Sequence, residues 1–185
     1  MYIPKHFEGD EAQGREIMRA HSWALLTTAD ESGVPVCTHL VLQWEDDGSP
    51  HGSLIGHMAR NNDQWKLFAR GVPSLALFWG PHAYGRPQVI EATPAVLMVL
   101  TKLAAQYEGS GAESWGLGRL PPGNAAEQSR SIVAFRMPLE RVETKLKLSQ
   151  NRDLEDRHRV IARLEASDSQ DSRATAKWMK RVLPG

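Results

Sequence analysis

Three short apolar segments, separated by strong turn signals, restrict the fold of this chain more than any other feature. The segments span residues 22–29, 36–44 and 51–57, and both of the turns between them contain glycine and proline. Runs of this length, joined by such turns, are typical of consecutive antiparallel strands. We therefore predict a β-meander, which is the usual beginning of a small barrel.

Helical patterns follow the meander and recur at the C-terminus, so the predicted fold class is α+β with a barrel core. Asp10 is expected to cap a helix that ends near residue 21, and Thr93 to cap an amphipathic helix from Pro94 to about Tyr107. Residues 1–7 should be extended and 109–123 should form a surface loop. The other predicted helices span 61–69, 153–166 and 172–182, and the other predicted strands span 75–79, 88–91 and 132–144.

The charge balance argues against a general attraction to nucleic acid or to an anionic membrane. The 185 residues include 22 Lys+Arg and 22 Asp+Glu, so the formal net charge is zero. The last predicted helix is mildly basic and could touch DNA phosphates. Its basic residues also suit the C-terminal end of a helix dipole, which is the interpretation we favour. They are Arg173, Lys177, Lys180 and Arg181.

Cysteine content and hydropathy limit where the protein is expected to work. Cys37 is the one cysteine, so an intrachain disulfide is excluded. Every apolar run is far shorter than the length that spans a bilayer. The N-terminus lacks the apolar stretch of a signal peptide. We therefore expect a cytoplasmic protein without a membrane segment.

Several common motifs for cofactors and catalysis do not occur in the sequence. The patterns G-x-G-x-x-G, G-x-x-x-x-G-K-[ST], C-x-x-C, H-E-x-x-H and G-x-S-x-G are all missing. His51 and His57 are six residues apart, but a catalytic zinc ion normally takes three protein ligands. We therefore predict no metal site and identify no catalytic residue.

The strongest candidate site lies where the third predicted strand ends and the next predicted helix begins. Such a junction offers free backbone N–H groups and the positive end of a helix dipole. Arg60 adds a fixed cation and His57 adds a donor, so an anionic phosphate suits this place. The alternative is a solvated arginine beside an ordinary helix start. The motif is Gly56-His57-Met58-Ala59-Arg60-Asn61-Asn62.

Two further segments could contribute to a ligand site. If the segment after the last predicted strand is extended, Lys145, Lys147 and Ser149 share one face and could neutralise a phosphate. The alternative is a solvated edge strand whose lysines discourage aggregation. In the second predicted strand, the polar pair Thr38 and His39 could face a ligand pocket or could face water.

Five motifs along the chain, taken together, are specific enough to indicate a protein family. They are Met1-Tyr2-Ile3-Pro4-Lys5-His6-Phe7, Val34-Pro35-Val36-Cys37-Thr38-His39-Leu40, the Gly56–Asn62 motif followed by Trp65, Gly80-Pro81-His82-Ala83-Tyr84, and Lys145-Leu146-Lys147-Leu148-Ser149-Gln150-Asn151-Arg152. Together they resemble the PaiB family of FMN-binding negative transcriptional regulators. The resemblance runs from Met1 to about Arg163, which is most of the chain.

This resemblance implies a single domain over residues 1–185, built as a split β-barrel of the pyridoxamine-phosphate-oxidase type with a C-terminal helical segment at about 153–183. It also implies a homodimer with two FMN sites at the subunit interface, and repression of sporulation and protease genes. The alternative function is a flavin-dependent oxidoreductase or a haem-handling enzyme of the same fold. In that case His39 and His57 would be the candidates for proton transfer.

The resemblance also carries ten residues over to an FMN site. One group would lie beside the phosphate, a second would approach the flavin from the second strand, and a third would close the site from the same or the other subunit. In that order they are Arg60, Asn61 and Asn62; Thr38 and His39; and Lys147, Gln150 and Asn151. His57 and Leu40, in the matching motifs, are predicted to bind the cofactor with them.

One departure from the family pattern affects the predicted barrel. Family members usually carry some tens of further residues after the Gly-Pro-x-Ala-Tyr segment, whereas here Tyr84 is followed directly by Gly85. If that stretch is deleted, we expect one barrel strand and part of the flavin wall to be missing. Because the loss of a strand would open a sheet edge, a mobile loop left out of the printed sequence is the explanation we favour.

Overall fold

The computed structural model describes residues 1–108, 116–121 and 123–184, and the chain divides into two units. The first, called the barrel unit, is Glu11–Glu143. The second, called the terminal unit, combines Met1–Asp10 with the segment that begins at Thr144. No helix among the described residues is long and apolar enough to cross a membrane.

The strands and helices are numbered in chain order. The strands are β1 (Glu8–Gly9), β2 (Trp23–Ala29), β3 (Pro35–Glu45), β4 (Ser53–Ala59), β5 (Ser74–Leu77), β6 (Pro81–Gly85), β7 (Gln88–Ile90) and β8 (Ile132–Lys145). The helices are α1 (Glu11–Ala20), α2 (Gln64–Phe68), α3 (Thr93–Glu108), α4 (Asn124–Ser129), α5 (Leu154–Glu165) and α6 (Gln170–Arg181). Short 3₁₀ helices lie at Lys5–Phe7 and Leu117–Arg119.

Six antiparallel strands form a closed barrel in the order β8–β4–β3–β2–β5–β6, and β6 pairs again with β8. The predicted meander is confirmed, because β2 pairs with β3 from Trp23 opposite Val41 to Ala29 opposite Pro35, and β3 pairs with β4. The 14-residue β8 is the long strand predicted near the C-terminus, and β7 pairs with it as well. The α+β barrel class predicted from the sequence is therefore confirmed.

The barrel closes at Gly85, which follows directly after the family motif that ends at Tyr84. A β-carbon added to Gly85 would lie 2.2 Å from the carbonyl oxygen of Pro138 in β8, so the two strands approach too closely for any side chain there. Strand β6 runs without a break through Tyr84 and Gly85, so the favoured explanation of a left-out loop is wrong, and so is the expectation that a deletion at this point would remove a barrel strand. The five residues of β6 complete the barrel wall without the further residues that family members usually carry after this motif.

The barrel interior is filled by alternate residues of its strands, as the two-residue period of a strand requires. Leu26, Leu42, Leu54 and Phe135 are all fully buried in this core. A second apolar cluster lies outside the barrel wall, where β4 and β8 pack against α3. Its buried members are Ile55, Val96, Val99, Leu103 and Ala134.

Several predicted elements need correction. The N-terminal segment forms a 3₁₀ helix at Lys5–Phe7 instead of staying extended. The helix predicted over 61–69 is only Gln64–Phe68. Strand β6 and helix α4 were not predicted, because β6 is short and contains glycine and proline while α4 follows a Gly- and Pro-rich stretch. Most of the predicted loop at 109–123 lies outside the described residues.

The terminal unit contains a helical hairpin whose helices were both predicted. Asp153 caps α5 by accepting a hydrogen bond from the backbone N–H of Asp156, and Ser169 caps α6 in the same way. Ile161, Ala176 and Met179 are buried between the two helices. In the same unit, β1 pairs with the end of β8.

Candidate functional site

Arg60 follows the last residue of β4 and is held at that place by the neighbouring backbone. Its Nε donates to the carbonyl of Arg130 at 2.7 Å, and its Nη2 donates to the carbonyl of Ile132 at 3.0 Å. The ring of Trp65 lies 5.9 Å from the guanidinium carbon. Arg60 is exposed, and none of the ion pairs among the described residues involves it. The junction therefore presents a positive charge that no described carboxylate balances.

The two asparagines beside Arg60 differ in what they contact. Asn61 is exposed. Asn62 donates from Nδ2 to the hydroxyl of Thr38 at 2.8 Å and accepts from the backbone N–H of Gln64. Thr38 in turn donates to Oε1 of Gln64 at 2.5 Å. Thr38 and Asn62 are thus brought together, but their polar groups already bond to each other and to Gln64.

Gln64 is a structural residue that the sequence analysis missed. Its side chain is 2% exposed, and its Nε2 lies within hydrogen-bonding distance of the carbonyls of Leu26 and Val36 and of the hydroxyl of Thr28. It therefore ties α2 to β2 and β3. A glutamine two residues after an asparagine-led turn gave no clear signal, because nothing in the sequence shows that its face is buried.

The helix after the junction is too short to support the predicted dipole site. Helix α2 has five residues, and its N-cap residue Asp63 makes no side-chain capping bond. A helix of little more than one turn sums few peptide dipoles. The cation of Arg60, and not a helix terminus, is therefore the feature of this junction that suits an anion.

His57 lies on the outer side of β4 and faces a cavity of about 420 Å³ between the barrel wall and helices α3 and α4. Its Nδ1 is buried and has no hydrogen-bond partner among the residues that the structure describes. Burial lowers the pKa of the imidazole below its usual 6.5, so the ring is neutral at pH 7. Contact between His57 and a phosphate stays a prediction.

The other two residues predicted on the second strand point in opposite directions. His39 is exposed on the outer face of the barrel, where its ring stacks on Trp23 with centroids 6.3 Å apart. Leu40 is 6% exposed and belongs to the barrel core. A flavin on the outer face would therefore meet the ring of His39 but not the side chain of Leu40.

The predicted strip after β8 is not extended. The backbone N–H of Leu148 bonds to the carbonyl of Leu146, and Ser149 has a φ of 64°, so the chain turns there. Gln150 caps this turn, because its Oε1 accepts from Leu148 and its Nε2 donates to Leu146. The prediction that alternate residues of this segment share one face is therefore wrong.

Lys147, Gln150 and Asn151 all lie in the terminal unit, and the other seven predicted residues lie in the barrel unit. Lys147 and Asn151 are exposed, so their polar groups face solvent. Gln150 has both ends of its amide occupied by its own turn. Of these three residues, Lys147 and Asn151 are the ones that could meet a ligand.

The basic residues of α6 largely bond within the terminal unit. Lys180 pairs with Glu165 at 2.5 Å, and Arg173 donates to the carbonyl of Ser167 at 2.7 Å. The guanidinium of Arg181 lies 4.1 Å from the ring centre of Trp178. These contacts occupy three of the four basic side chains within their own unit, and the interpretation of a helix dipole stays a prediction.

Comparison with known families gives a match over most of the chain. The model of a family described as "Putative FMN-binding domain" matches residues 1–95 and 82–141. The protease synthase and sporulation protein PAI 2 of Bacillus subtilis is 28% identical over 208 aligned positions, which cover 99% of this chain and 98% of that protein. The aligned length exceeds 185 residues, so the alignment has gaps on this chain's side. These matches agree with the resemblance carried by the five motifs.

Solved structures with the same fold are also found. The FAD and haem binding protein of Mycobacterium smegmatis has a TM-score of 0.60 and 14% identity, over 81% of this chain and 77% of that chain. The flavocytochrome Anf3 of Azotobacter vinelandii has a TM-score of 0.61 and 15% identity, over 81% and 73%. At such identities the likeness shows the fold alone.

Proposed function

Because this chain belongs to the FMN-binding domain family, we propose that it is an FMN-binding regulatory protein that works as a homodimer. The family match over residues 1–141 is the observation that carries this proposal. FMN combines a flat ring system with a phosphate, so a suitable site needs a fixed cation beside a surface that accepts a ring. When bound, FMN supplies redox chemistry that the side chains do not have.

The residues at the end of β4 fit the phosphate of FMN. Two carbonyl bonds hold the guanidinium of Arg60, and Nη1 takes part in neither of them. No described ion pair balances its charge, so an anion would gain a charge-assisted hydrogen bond there without displacing a carboxylate. Asn61 is exposed beside Arg60 and adds an amide donor. We assign the phosphate to these two residues.

The outer face of β3, β2, β5 and β6 supports the homodimer. In the register of these strands, Leu25 lies opposite His39 and Leu77, and Thr27 lies opposite Cys37 and Leu75. These rows and the adjoining Trp23, Val41 and His82 contain no Asp, Glu, Lys or Arg. Charged groups begin at the edge of this surface, where Tyr84 contacts Arg141 and Glu143. Trp23 is 55% exposed. We call this surface the uncharged face.

A second copy of the chain is the occupant we assign to the uncharged face. An uncharged, partly apolar face can pair with an identical face around a twofold axis, because no like charges meet. Its central residue, Leu25, would then be buried in the dimer. His39 lies on the same face, so a flavin at the edge of this interface would be close to one of the predicted residues.

The proposal of a regulatory function rests on the similarity to the Bacillus subtilis protein PAI 2. The Bacillus subtilis relative is named a protease synthase and sporulation protein, and it is matched over nearly its whole length. Because Arg173, Lys180 and Arg181 of α6 make contacts within their own unit, we propose that any control of gene expression acts through a partner and not through direct DNA contact.

Two measurements test this proposal. The purified protein should show the visible absorbance of oxidised flavin, or should acquire it when FMN is added; a colourless protein that takes up no FMN would contradict FMN binding. In sedimentation experiments the chain should have the mass of two copies, and Leu25→Lys should give one copy. Val160→Lys, which changes an exposed residue of α5, is the control. A monomeric wild-type chain would contradict the dimer.

A flavin-dependent oxidoreductase is the second candidate function. The fold likeness to an FAD and haem binding protein and to a flavocytochrome favours it. Oxidation of NADH or NADPH by the FMN-loaded protein would support this function. The absence of turnover with several electron acceptors would leave the regulatory function as the better account.

A further inference from the structure

A groove of about 490 Å³ lies where the last turns of α3 and the end of α1 meet strand β3. It shares no lining residue with the cavity beside His57, and no described hydrogen bond or ring contact joins its residues to Arg60. Its volume falls within the usual range for small-molecule sites, which is about 300–1,000 Å³. We call it the Gln43 groove, and its lining residues are Arg19, Gln43, Trp44, Lys102, Ala105 and Gln106.

The side-chain amide of Gln106 is fixed with its oxygen left over. Its Nε2 donates to the hydroxyl of Ser22 at 3.0 Å and to the carbonyl of Arg19 at 3.3 Å. These two bonds decide which end of the amide is the nitrogen. Oε1 is buried, and no described group donates to it. Gln106 therefore brings an unused acceptor to the groove.

Gln43 brings a second unused acceptor from the opposite wall. It lies two residues after Val41, which packs against the α3 cluster, so its side chain is on the outer side of β3. Its Oε1 is also buried without a partner in the described part of the chain. Buried polar atoms are nearly always hydrogen-bonded. Two such acceptors in one groove favour a ligand group with several N–H donors.

Arg19 supplies a cation at the same groove. The carbon of its guanidinium lies 4.2 Å from the ring centre of Trp44, which is 5% exposed and therefore fixed in the fold. Arg19 is exposed, and none of the described ion pairs involves it. A guanidinium stacked on an aromatic ring keeps the N–H groups at its edge for a carboxylate.

The other cation of the groove already has a partner. Lys102 donates to Glu45 at 2.5 Å, Glu45 also pairs with Arg136, and Arg136 pairs with Asp47. This network contains two positive and two negative charges. The charge of Arg19 is therefore the one that the described ion pairs of this region leave unbalanced.

We propose that the Gln43 groove binds a free α-amino acid with an apolar side chain. Its carboxylate bonds to Arg19, and its ammonium group donates to the amide oxygens of Gln43 and Gln106. An ammonium group has three donors and no acceptor, so it matches two unused oxygens. The apolar side chain lies against Ala105. This inference goes beyond FMN binding and does not depend on it.

The test compares three probes that differ in one charged group each. L-leucine has both groups, L-leucinamide lacks the carboxylate, and 4-methylpentanoate lacks the ammonium group. Calorimetric titration at about pH 6.5, where the amines are protonated, measures the three affinities. L-leucine should bind, and each of the other probes should bind about 10- to 100-fold more weakly, which is the usual effect of losing a charge-assisted hydrogen bond.

Two variants should affect the probes in a crossed pattern, which a general loss of structure would not produce. Arg19→Gln should weaken L-leucine and 4-methylpentanoate about 10- to 100-fold and leave L-leucinamide unchanged. Gln43→Leu should weaken L-leucine and L-leucinamide and leave 4-methylpentanoate unchanged. Arg163→Gln, which changes an exposed arginine of α5, is the control and should alter none of the affinities.

Nuclear magnetic resonance of ¹⁵N-labelled glutamine side chains locates the bound probe. L-leucine should shift the amide signals of Gln43 and Gln106, which are identified by their loss in Gln43→Leu and Gln106→Leu. Absence of L-leucine binding, unmoved signals of both glutamines, or an equal loss of all three probes in Arg19→Gln would each overturn the inference. FMN binding is measured separately by visible absorbance, so its failure is distinguished from a failure of this site.

Discussion

The Nε1–H of Trp65 donates a 2.9 Å hydrogen bond to the backbone carbonyl of Arg60, and the guanidinium of Arg60 lies 5.9 Å from the same indole ring. Trp65 belongs to α2 and is partly packed against the barrel core. The arginine proposed to bind the phosphate is therefore fixed by a tryptophan that is itself anchored in the fold. A preorganised cation loses less freedom on binding than a mobile one.

Trp65→Phe should weaken FMN binding about three- to tenfold, because it keeps an aromatic ring but removes one hydrogen bond of about 0.5–1.5 kcal/mol. Fluorescence titration of FMN measures the change. Trp178→Phe alters another tryptophan that stacks with an arginine, in the terminal unit, and is the matched control. Equal affinity in the wild type and Trp65→Phe would mean that Trp65 does not position Arg60.

Gln64→Leu should lower the free energy of unfolding by about 1–3 kcal/mol, because it removes the buried hydrogen bonds that the Gln64 amide donates. The affected groups are the carbonyls of Leu26 and Val36 and the hydroxyl of Thr28. Urea denaturation measures the difference. In the control Gln43→Leu, the amide oxygen that is removed is buried and has no partner in the described part of the chain, so the loss should be smaller. Similar losses in both variants would contradict this account.

Gly85→Ala should destabilise the barrel by at least about 1–3 kcal/mol, since the new β-carbon would meet the Pro138 carbonyl oxygen where β6 and β8 close the wall. Thermal unfolding is the measurement. Gly118→Ala adds the same methyl group where no atom of the described residues lies within 4 Å, and should be nearly neutral. If Gly85→Ala unfolded at the wild-type temperature, the barrel would not close at this position.

Asp47 should make the stability of the barrel unit depend on pH in the acid range. Hydrogen bonds from the Ser49 and Ser53 hydroxyls and the Ser49 backbone, with the charge of Arg136, lower its pKa from 3.8 to about 2. A carboxyl whose pKa is lower in the folded state stabilises that state above the unfolded pKa of 3.8, and the stabilisation is lost as the pH falls towards about 2.

Urea denaturation between pH 5 and pH 2 tests the role of Asp47. Asp47→Asn should be less stable than the wild type at pH 5, and the two curves should converge as the pH approaches 2. Asp46→Asn changes the neighbouring carboxylate, which accepts one hydrogen bond from the backbone of Gly48, and serves as the control. A constant gap between wild type and Asp47→Asn over this range would contradict the role of Asp47.

The elements that could be predicted from the sequence are those in which apolar residues recur at the regular spacing of a helix or a strand. The meander, the long strand β8, helix α3 and the C-terminal hairpin all follow from such periods and from capping residues. Strand β6 did not follow, because five residues that include proline and glycine give no pattern. Its place depends on the close approach of Gly85 to Pro138, which is a contact between residues distant in sequence.

The candidate site was predicted only in part, for a physical reason. The sequence identifies Arg60 as a cation at the end of a strand, but not that two carbonyls and Trp65 hold it. Thr38 and Asn62 were predicted from the sequence to bind the ligand, whereas in the structure their polar groups bond to each other and to Gln64. Whether a polar side chain bonds within the protein or to a ligand depends on tertiary contacts.

The most direct test of the central claim compares the affinities for FMN and riboflavin in the wild type and in Arg60→Gln. Riboflavin lacks the phosphate, so it reports binding of the ring and ribityl chain alone. We expect Arg60→Gln to bind FMN about 10- to 100-fold more weakly, because a charge-assisted hydrogen bond is worth about 1.5–3 kcal/mol, and to bind riboflavin as the wild type does. An unchanged affinity for FMN, or an equal loss for both flavins, would contradict the assignment of the phosphate to Arg60.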